Sequence, residues 1–253
     1  MNRLSVVILA GAGDGDSALA SGQSTPKALI PLNGRPLIDY VLRALAATGI
    51  GLDVAIVGLE PSALSGTPVP CRFFADRRGM IQNLQAGLAA FGPSGHLLVC
   101  SCDLPFLSAE SITDFLERSA KTGADLCYPI VREDVLERQF PGAGRSYRKI
   151  VEGSFAGGDL LWLAPSVVER NARFVQNLAE NRKSAWGLVK VMGVKTVLRF
   201  LTGRLRVSHL EQRASKLLGC RVAAIETHYP EIAMDIDKPH QLQLAERMLS
   251  TAR

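Results

Sequence analysis

A lysine that follows a glycine-rich loop, and three aspartates in two later segments, are the residues of this 253-residue chain best suited to chemistry on a phosphate. The loop reads Leu9-Ala10-Gly11-Ala12-Gly13-Asp14-Gly15-Asp16 and follows an apolar run, so its glycines can bring backbone N–H groups against phosphate oxygens. Three kinds of nucleotide loop begin this way. A dinucleotide turn needs its third glycine where Asp16 stands, and a P-loop needs Gly-Lys followed by Ser or Thr, which does not occur. The third is a glycine loop followed at a distance by Pro-Lys, here Ser24-Thr25-Pro26-Lys27-Ala28-Leu29. There the Lys27 ammonium would neutralise a triphosphate and the charge building on the α-phosphate during attack. Taken alone, Lys27 would read as a solvated loop cation.

Cys102-Asp103 directly follows the apolar run His96–Ser101, with Pro105 stiffening the exit and Phe106 and Leu107 anchoring it. A carboxylate there projects from a strand end into the adjoining cleft; capping a turn is the plainer role. Asp235 and Asp237 lie two residues apart, so in extended backbone both face one side. Asp237 is equally placed to cap a helix with Pro239 in its first turn.

These residues need a scaffold that gathers them. Ser5–Leu9, Asp53–Val57, Cys71–Phe74, His96–Ser101 and Ala124–Pro129 are predicted strands. Between them, Pro36–Thr48, Met80–Ala90 and Ala109–Ala120 carry helical spacing, the first entered from the turn Asn33-Gly34 and the last capped by Ser108. This βαβαβ rhythm predicts an α/β fold with a doubly wound, mostly parallel sheet, whose ligands bind beyond the carboxyl ends of the strands. After Pro129 the pattern changes. Arg132–Arg145 is predicted to be turn-rich. Tyr147–Glu152 and Asp159–Leu163 read as strands around a turn at Ala156-Gly157-Gly158. A basic helical stretch, a strand near Arg221–Ile225 and a helix from Lys238 follow. The expected organisation is one domain, 1–253, with a small helical/β lobe inserted at 140–220.

Leu9-Ala10-Gly11, Pro26-Lys27-Ala28-Leu29-Ile30-Pro31 and Gly34-Arg35-Pro36-Leu37-Ile38 together resemble the MobA-like nucleotidyltransferases, over roughly Val6–Pro105 and again at Asp235–Leu244. The resemblance implies a Rossmann-like nucleotidyltransferase fold. It also implies transfer of a nucleoside monophosphate from a nucleoside triphosphate to a phosphorylated acceptor, small-molecule or lipid-linked, with Mg²⁺ as cofactor. It gives Lys27 and Asp103 catalytic roles and makes Asp103 a Mg²⁺ ligand, joined by Asp235 or Asp237. Since Mg²⁺ completes its shell with phosphate oxygens and water, one of that pair suffices. The nucleotide would lie on Leu9, Ala10, Gly11, Ala12, Gly13 and Lys27, with Gly79, Gln82 and Asn83 beside base and ribose; Gln82 and Asn83 equally suit a solvated helix start. Ser154–Asp159 resembles the family's acceptor-side T-G-G-N turn, with Asp159 in place of asparagine, and Tyr147-Arg148-Lys149 would reach an acceptor phosphate. One departure stands out. The family loop usually carries an arginine, and none occurs between Leu9 and Lys27. Either another cation substitutes, Arg77 and Arg78 being candidates, or the chain is a degenerate nucleotide-binding protein.

Composition bounds the rest. Hydrophobic residues make up 47% and charged residues 21%, ordinary for a globular domain, and no apolar run is long enough to cross a bilayer. Leu4–Ala10 follows Arg3, but the glycines that come at once favour a buried strand over a signal peptide. The five cysteines are scattered without a C-x-x-C pair, and the four histidines are far apart, which argues against zinc and against a disulfide framework and for the cytoplasm. Cys100 and Cys102 read as packed thiols on one strand face. The net charge is +5, yet residues 182–216 hold nine basic residues against one acid, Glu211, so the remainder is negative. That excludes a general nucleic-acid coat and points to one local anionic partner. Trp186, Val189, Val197, Phe200 and Leu201 interleave with these cations. The stretch is either a packed lobe with a solvated basic face or a peripheral contact with an anionic membrane surface or lipid phosphate, the latter also fitting a membrane-surface adaptor.

Overall fold

A computed structural model describes residues 3–11, 25–92, 95–171 and 193–251. Ala12 and Gly13 of the glycine loop lie outside the described residues, as do Arg182, Lys183, Trp186, Val189 and Lys190 of the basic stretch.

Strand β1 (Leu4–Leu9) sits mid-sheet with Val6, Val7 and Ile8 fully buried. Alternate residues feed opposite layers. Val6 and Ile8 join Ile56 of β4 (Leu52–Val57), Leu98 and Cys100 of β6 (Leu97–Ser101), Val41 and Leu45 of α1 (Leu37–Ala47) and Phe115 of α3 (Ala109–Thr122). Val7 joins Val57, Val99, and Leu84 and Leu88 of α2 (Met80–Ala89). Two separate cores on one strand mean helices on both faces, which is why the strand sequences run apolar without alternation. Each buried Val or Ile contributes roughly 1.5–3 kcal/mol. Cys100 and Cys102 are both buried in the first core.

Strands β5 (Cys71–Phe74), β4, β1 and β6 are parallel, in that order. Beyond β6 the sheet becomes mixed: β10 (Leu160–Leu163) runs antiparallel to β6 on one side and to β7 (Leu126–Arg132) on the other. Strand β11 (Val222–Thr227) pairs parallel with β7, and β9 (Gly153–Gly157) antiparallel with β7 and with β8 (Arg148–Ile150). Outside the sheet, β2 (Pro31–Leu32) and β3 (Arg35–Pro36) form a two-residue hairpin.

The strands and helices predicted up to residue 129 are present, with ends shifted by a few residues. Two expectations fail. The polar stretch after Arg132 contains helix α4 (Glu133–Gln139), because Leu136 and the following Phe140 find a core with Val131, Ala143 and Met234. Ala156 and Gly157 are not a turn but the end of β9; the Tyr128 hydroxyl lies 1.9 Å from where a Gly157 Cβ would stand, so glycine serves close approach there.

Gly58, at the end of β4, has φ +107, and a Cβ on it would lie 2.1 Å from the Gly11 backbone nitrogen. Gly58→Ala should therefore cost about 2–5 kcal/mol, strain and overpacking together. Gly49→Ala, also at positive φ but in open space, should cost only about 1 kcal/mol. Urea unfolding checks both; similar losses would show that the Gly58–Gly11 contact does not constrain the fold.

Candidate active site

Three strand ends meet at one edge of the sheet. β1 delivers Ala10 and Gly11, and β6 delivers Cys102 and Asp103. The antiparallel β10 begins at that edge, its Leu160 opposite Cys100, so the preceding Asp159 arrives there too. Ser101 N donates to the Asp159 carbonyl at 3.2 Å, fixing the junction.

Lys27 opens a 3-10 turn, Lys27–Leu29, held by Leu29 N on the Pro26 carbonyl at 2.9 Å and by the fully buried Ala28. The arm then folds back through Asn33 and Gly34, both at positive φ, a type I′ hairpin that allows only two turn residues. Leu32 and Leu37 around this hairpin share a core with Ile236 and Ala245. The lysine arm and the C-terminal aspartate segment are thus packed together, although more than 200 residues apart.

That segment is stitched down by two further groups. Ile236 N donates to the Asp103 carbonyl at 3.2 Å. The buried Gln241 side chain accepts from the backbone N–H groups of Asp237 and Lys238 at 2.9 Å and donates to the Ala143 carbonyl at 3.1 Å. Gln241, not Asp237, therefore satisfies donors at the start of the helix Pro239–Thr251. The Asp237 carboxylate is turned to Lys27 instead.

The ammonium of Lys27 bridges Asp103 and Asp237 in two ion pairs. Burial pulls the Lys27 pKa down, but the two carboxylates outweigh it and hold the group above the ordinary lysine range, firmly protonated. Asp103 is almost fully buried, and the Ser101 hydroxyl donates to its other oxygen. Asp235 pairs with Arg145, whose guanidinium also reaches the Gly157 carbonyl at 3.3 Å and Asp159 at 3.5 Å. Asp103, Asp235 and Asp237 each present an oxygen within 4.8 Å of the others. With Asp159 ionised, four carboxylates face two cations, an excess of two negative charges in a partly buried space, and with Asp159 protonated the excess is one. Hard oxygen donors with that excess suit a divalent cation such as Mg²⁺.

Nothing in the sequence singled out Arg145. Its one local signal is that it directly follows the turn Pro141-Gly142-Ala143-Gly144. Arg77 and Arg78, named as substitutes for the loop arginine, are exposed in the loop before α2, and no ion pair joins them to these carboxylates among the described residues. Gly11 packs directly on Asn83 and Asp76. Asn83 is buried and its amide is used within the loop: it accepts from Arg77 N at 2.7 Å and donates to Asp76 at 2.9 Å. Gln82 is exposed and folds over Gly79.

Comparison with known proteins bears on this arrangement. The MobA-like NTP transferase domain matches residues 6–148, more than half of the chain. The chain belongs to this family. A hypothetical transferase structure from Thermus thermophilus is 32% identical, covers 95% of this chain and 100% of its own, and superposes with a TM-score of 0.83. Molybdopterin-guanine dinucleotide biosynthesis protein A from Archaeoglobus fulgidus, 17% identical over 98% of this chain and 100% of its own, shares the fold with a TM-score of 0.55. The bifunctional protein GlmU of Rhodospirillum rubrum is 34% identical over 108 residues, 39% of this chain; the match spans only 24% of GlmU. The matched MobA-like region contains Lys27, Asp103 and Arg145, whereas Asp159, Asp235 and Asp237 lie beyond it.

Asp159 gives this MobA-like site a pH signature. Burial pushes its pKa up to about 7, Arg145 opposes, and Asp103 and Asp237 push it further up. An unfolded aspartate titrates near ~3.9. Between these values the folded chain holds a proton that the unfolded chain releases, so stability falls as pH rises from about 4 to about 7. Asp159→Asn removes this loss. Without divalent metal its stability relative to the parent should grow between about pH 5 and about pH 8, by on the order of 1–3 kcal/mol after solvent screening. Denaturant titrations at both pH values check this; an unchanged difference would leave Asp159 out of the linkage.

Proposed function

We propose that this chain is an active nucleotidyltransferase that moves a nucleoside monophosphate from a nucleoside triphosphate to a phosphorylated acceptor and releases pyrophosphate. The observation that carries this reading is the contact of Lys27 with both Asp103 and Asp237, drawn from three distant segments to one sheet edge beside Gly11. Residues 140–220 are read as the acceptor-side lobe of a single domain, and the five free cysteines fit a reducing, cytoplasmic setting.

Asp103, Asp235 and Asp237 would hold Mg²⁺, which supplies charge neutralisation at the phosphates when bound. The remaining work falls to the chain's own groups. The backbone at Leu9, Ala10 and Gly11 cradles the triphosphate; Ala12 and Gly13, assigned to the same role from the sequence, lie outside the described residues. Gln82 lies toward the base and ribose, while Asn83 and Gly79 shape the loop beneath them. Lys27, kept protonated by its carboxylate partners, leaves them for the α-phosphate as negative charge builds there. Arg145, paired with Asp159 and Asp235, is the cation on the acceptor side. The acceptor's phosphate oxygen bonds to the α-phosphorus, the bond to the bridging oxygen breaks, and that electron pair departs with pyrophosphate. An acceptor already anionic needs no general base.

The lack of an arginine between Leu9 and Lys27 favours a second reading, nucleotide binding without turnover. Pyrophosphate release measured across the four NTPs with Mg²⁺ and a panel of phosphorylated sugars, alditols, pterins and lipids separates the two. Turnover is expected. Asp103→Ala should lower kcat/KM by about 1,000-fold or more and Lys27→Met by about 100-fold. Nucleotide binding without release for any acceptor would overturn the first reading in favour of the second, and an Asp103→Ala variant with full activity would remove Asp103 from the mechanism. A metal titration reads the site without turnover. Asp103→Asn should weaken Mn²⁺ binding by about tenfold or more. Lys27→Met, by removing the ammonium that competes for the same oxygens, should tighten it in the absence of nucleotide. Unchanged Mn²⁺ affinity in both variants would place the metal elsewhere.

A further inference from the structure

The helix Val194–Leu201 is turned inside out. A helix on a globular surface buries its apolar stripe and shows water its polar face. Here Val194, Leu198 and Leu201, one stripe at i, i+4 and i+7, are 72%, 59% and 75% exposed, while Thr196 on another face is buried. Phe200 is also exposed.

Cations flank the stripe. Lys195 and Arg199 lie on the same helix, and Arg204 and Arg206 follow in the connection to the next helix, Val207–Leu218. No acidic residue occurs from Val194 to Arg206; the nearest counter-charge described is Glu152, 3.7 Å from Arg206. The connection is joined to the β8–β9 hairpin: Val151 N donates to the Leu205 carbonyl at 2.8 Å, and Val207 N donates to Glu152 at 3.3 Å. That hairpin shows Arg148, Lys149 and the apolar Val151 to solvent, so it repeats the same combination beside the helix.

We propose that this basic, apolar surface seats the protein on an anionic phospholipid bilayer. Val194, Leu198 and Leu201 would enter the boundary between headgroups and acyl chains, with Lys195, Arg199 and Arg204 on the lipid phosphates. Charge decides the occupant. A second copy packed through this face in two-fold symmetry would set each cluster of cations against its own image, with Glu152, already paired with Arg206, the one acid described beside the cluster to compensate. An anionic bilayer satisfies both the apolar stripe and the charge. Among the described residues no helix is long and apolar enough to cross a membrane, so the contact is peripheral. The inference stands on the surface alone and does not depend on turnover.

Flotation of the full chain with vesicles of phosphatidylglycerol in phosphatidylcholine, against phosphatidylcholine alone, tests it. The protein should float with the anionic vesicles only and be released as salt is raised. Leu198→Ser with Leu201→Ser should reduce the bound fraction by about tenfold without loss of folding, because both side chains are already in water. Lys195→Glu with Arg199→Glu should abolish floating. Three results would overturn the proposal: equal recovery in the soluble fraction with both vesicles, floating that the leucine variant keeps, or a dimer in sedimentation velocity that the leucine variant dissolves while vesicles bind neither protein.

Discussion

The Lys27 ammonium held between Asp103 and Asp237 is the contact on which the rest of the site depends. Three carboxylates within 4.8 Å of one another repel, and two of them, Asp103 and Asp235, are buried and lose solvation as well. Lys27 and Arg145 offset part of that cost, one on each side of the cluster. Neither cation can be removed without leaving a carboxylate uncompensated, yet together they fall short of full neutralisation. A site built this way is most comfortable with a further positive charge, and on the proposed reading it receives one with its substrate.

Such a contact between residues 27, 103 and 237 carries a large loop-closure cost, which hydrophobic packing meets. Leu32, Leu37, Ile236 and Ala245 form one small core whose members come from the lysine arm and the C-terminal segment. The hydrogen bond from Ile236 to Asp103, and the three made by Gln241, convert that packing into a fixed backbone path. The charged groups are thus positioned by neutral neighbours that do not titrate. The pH dependence of stability therefore falls on the charged groups themselves, Asp159 among them.

What could be read in the sequence follows from whether a signal is local. β1 and β6 are apolar throughout because both faces are covered, so they stood out, and Asp103 stood out with them as the polar residue at a strand end. Lys27 was legible through its glycine loop and Pro26. Arg145 was not, because its partners Asp159 and Asp235 are brought to it by β9, β10 and the C-terminal segment, and no spacing in the chain encodes that meeting. Helix α4 was missed because one buried leucine in a seven-residue polar stretch gives no readable period. Gly157 misled for a physical reason: the residue that suits a turn is also the one that lets a tyrosine close on a strand. Asp235 and Asp237, alike by spacing, are distinguished in the fold by burial and by their cations: Asp235 is buried on Arg145, and Asp237 is exposed beside Lys27.

The antiparallel strand explains why one edge holds so many charged groups. In an all-parallel sheet only strand ends face the ligand edge, and each contributes a single exiting loop. Setting β10 against β6 in the opposite sense turns a strand beginning to that edge, so Asp159 enters where a parallel strand would have placed its far end. Strand β9 precedes it directly, and Arg145 reaches the Gly157 carbonyl at the end of that strand. The site thus has two halves of different origin: Gly11, Lys27 and Asp103 from the parallel α/β core, and Arg145 and Asp159 from the antiparallel addition. On the proposed reading the first half meets the triphosphate, a ligand common to the family, and the second meets the acceptor. On that reading Asp159, in the segment that resembles the family's T-G-G-N, and Arg145, which follows a glycine turn and pairs with it, would carry the selectivity for this chain's acceptor.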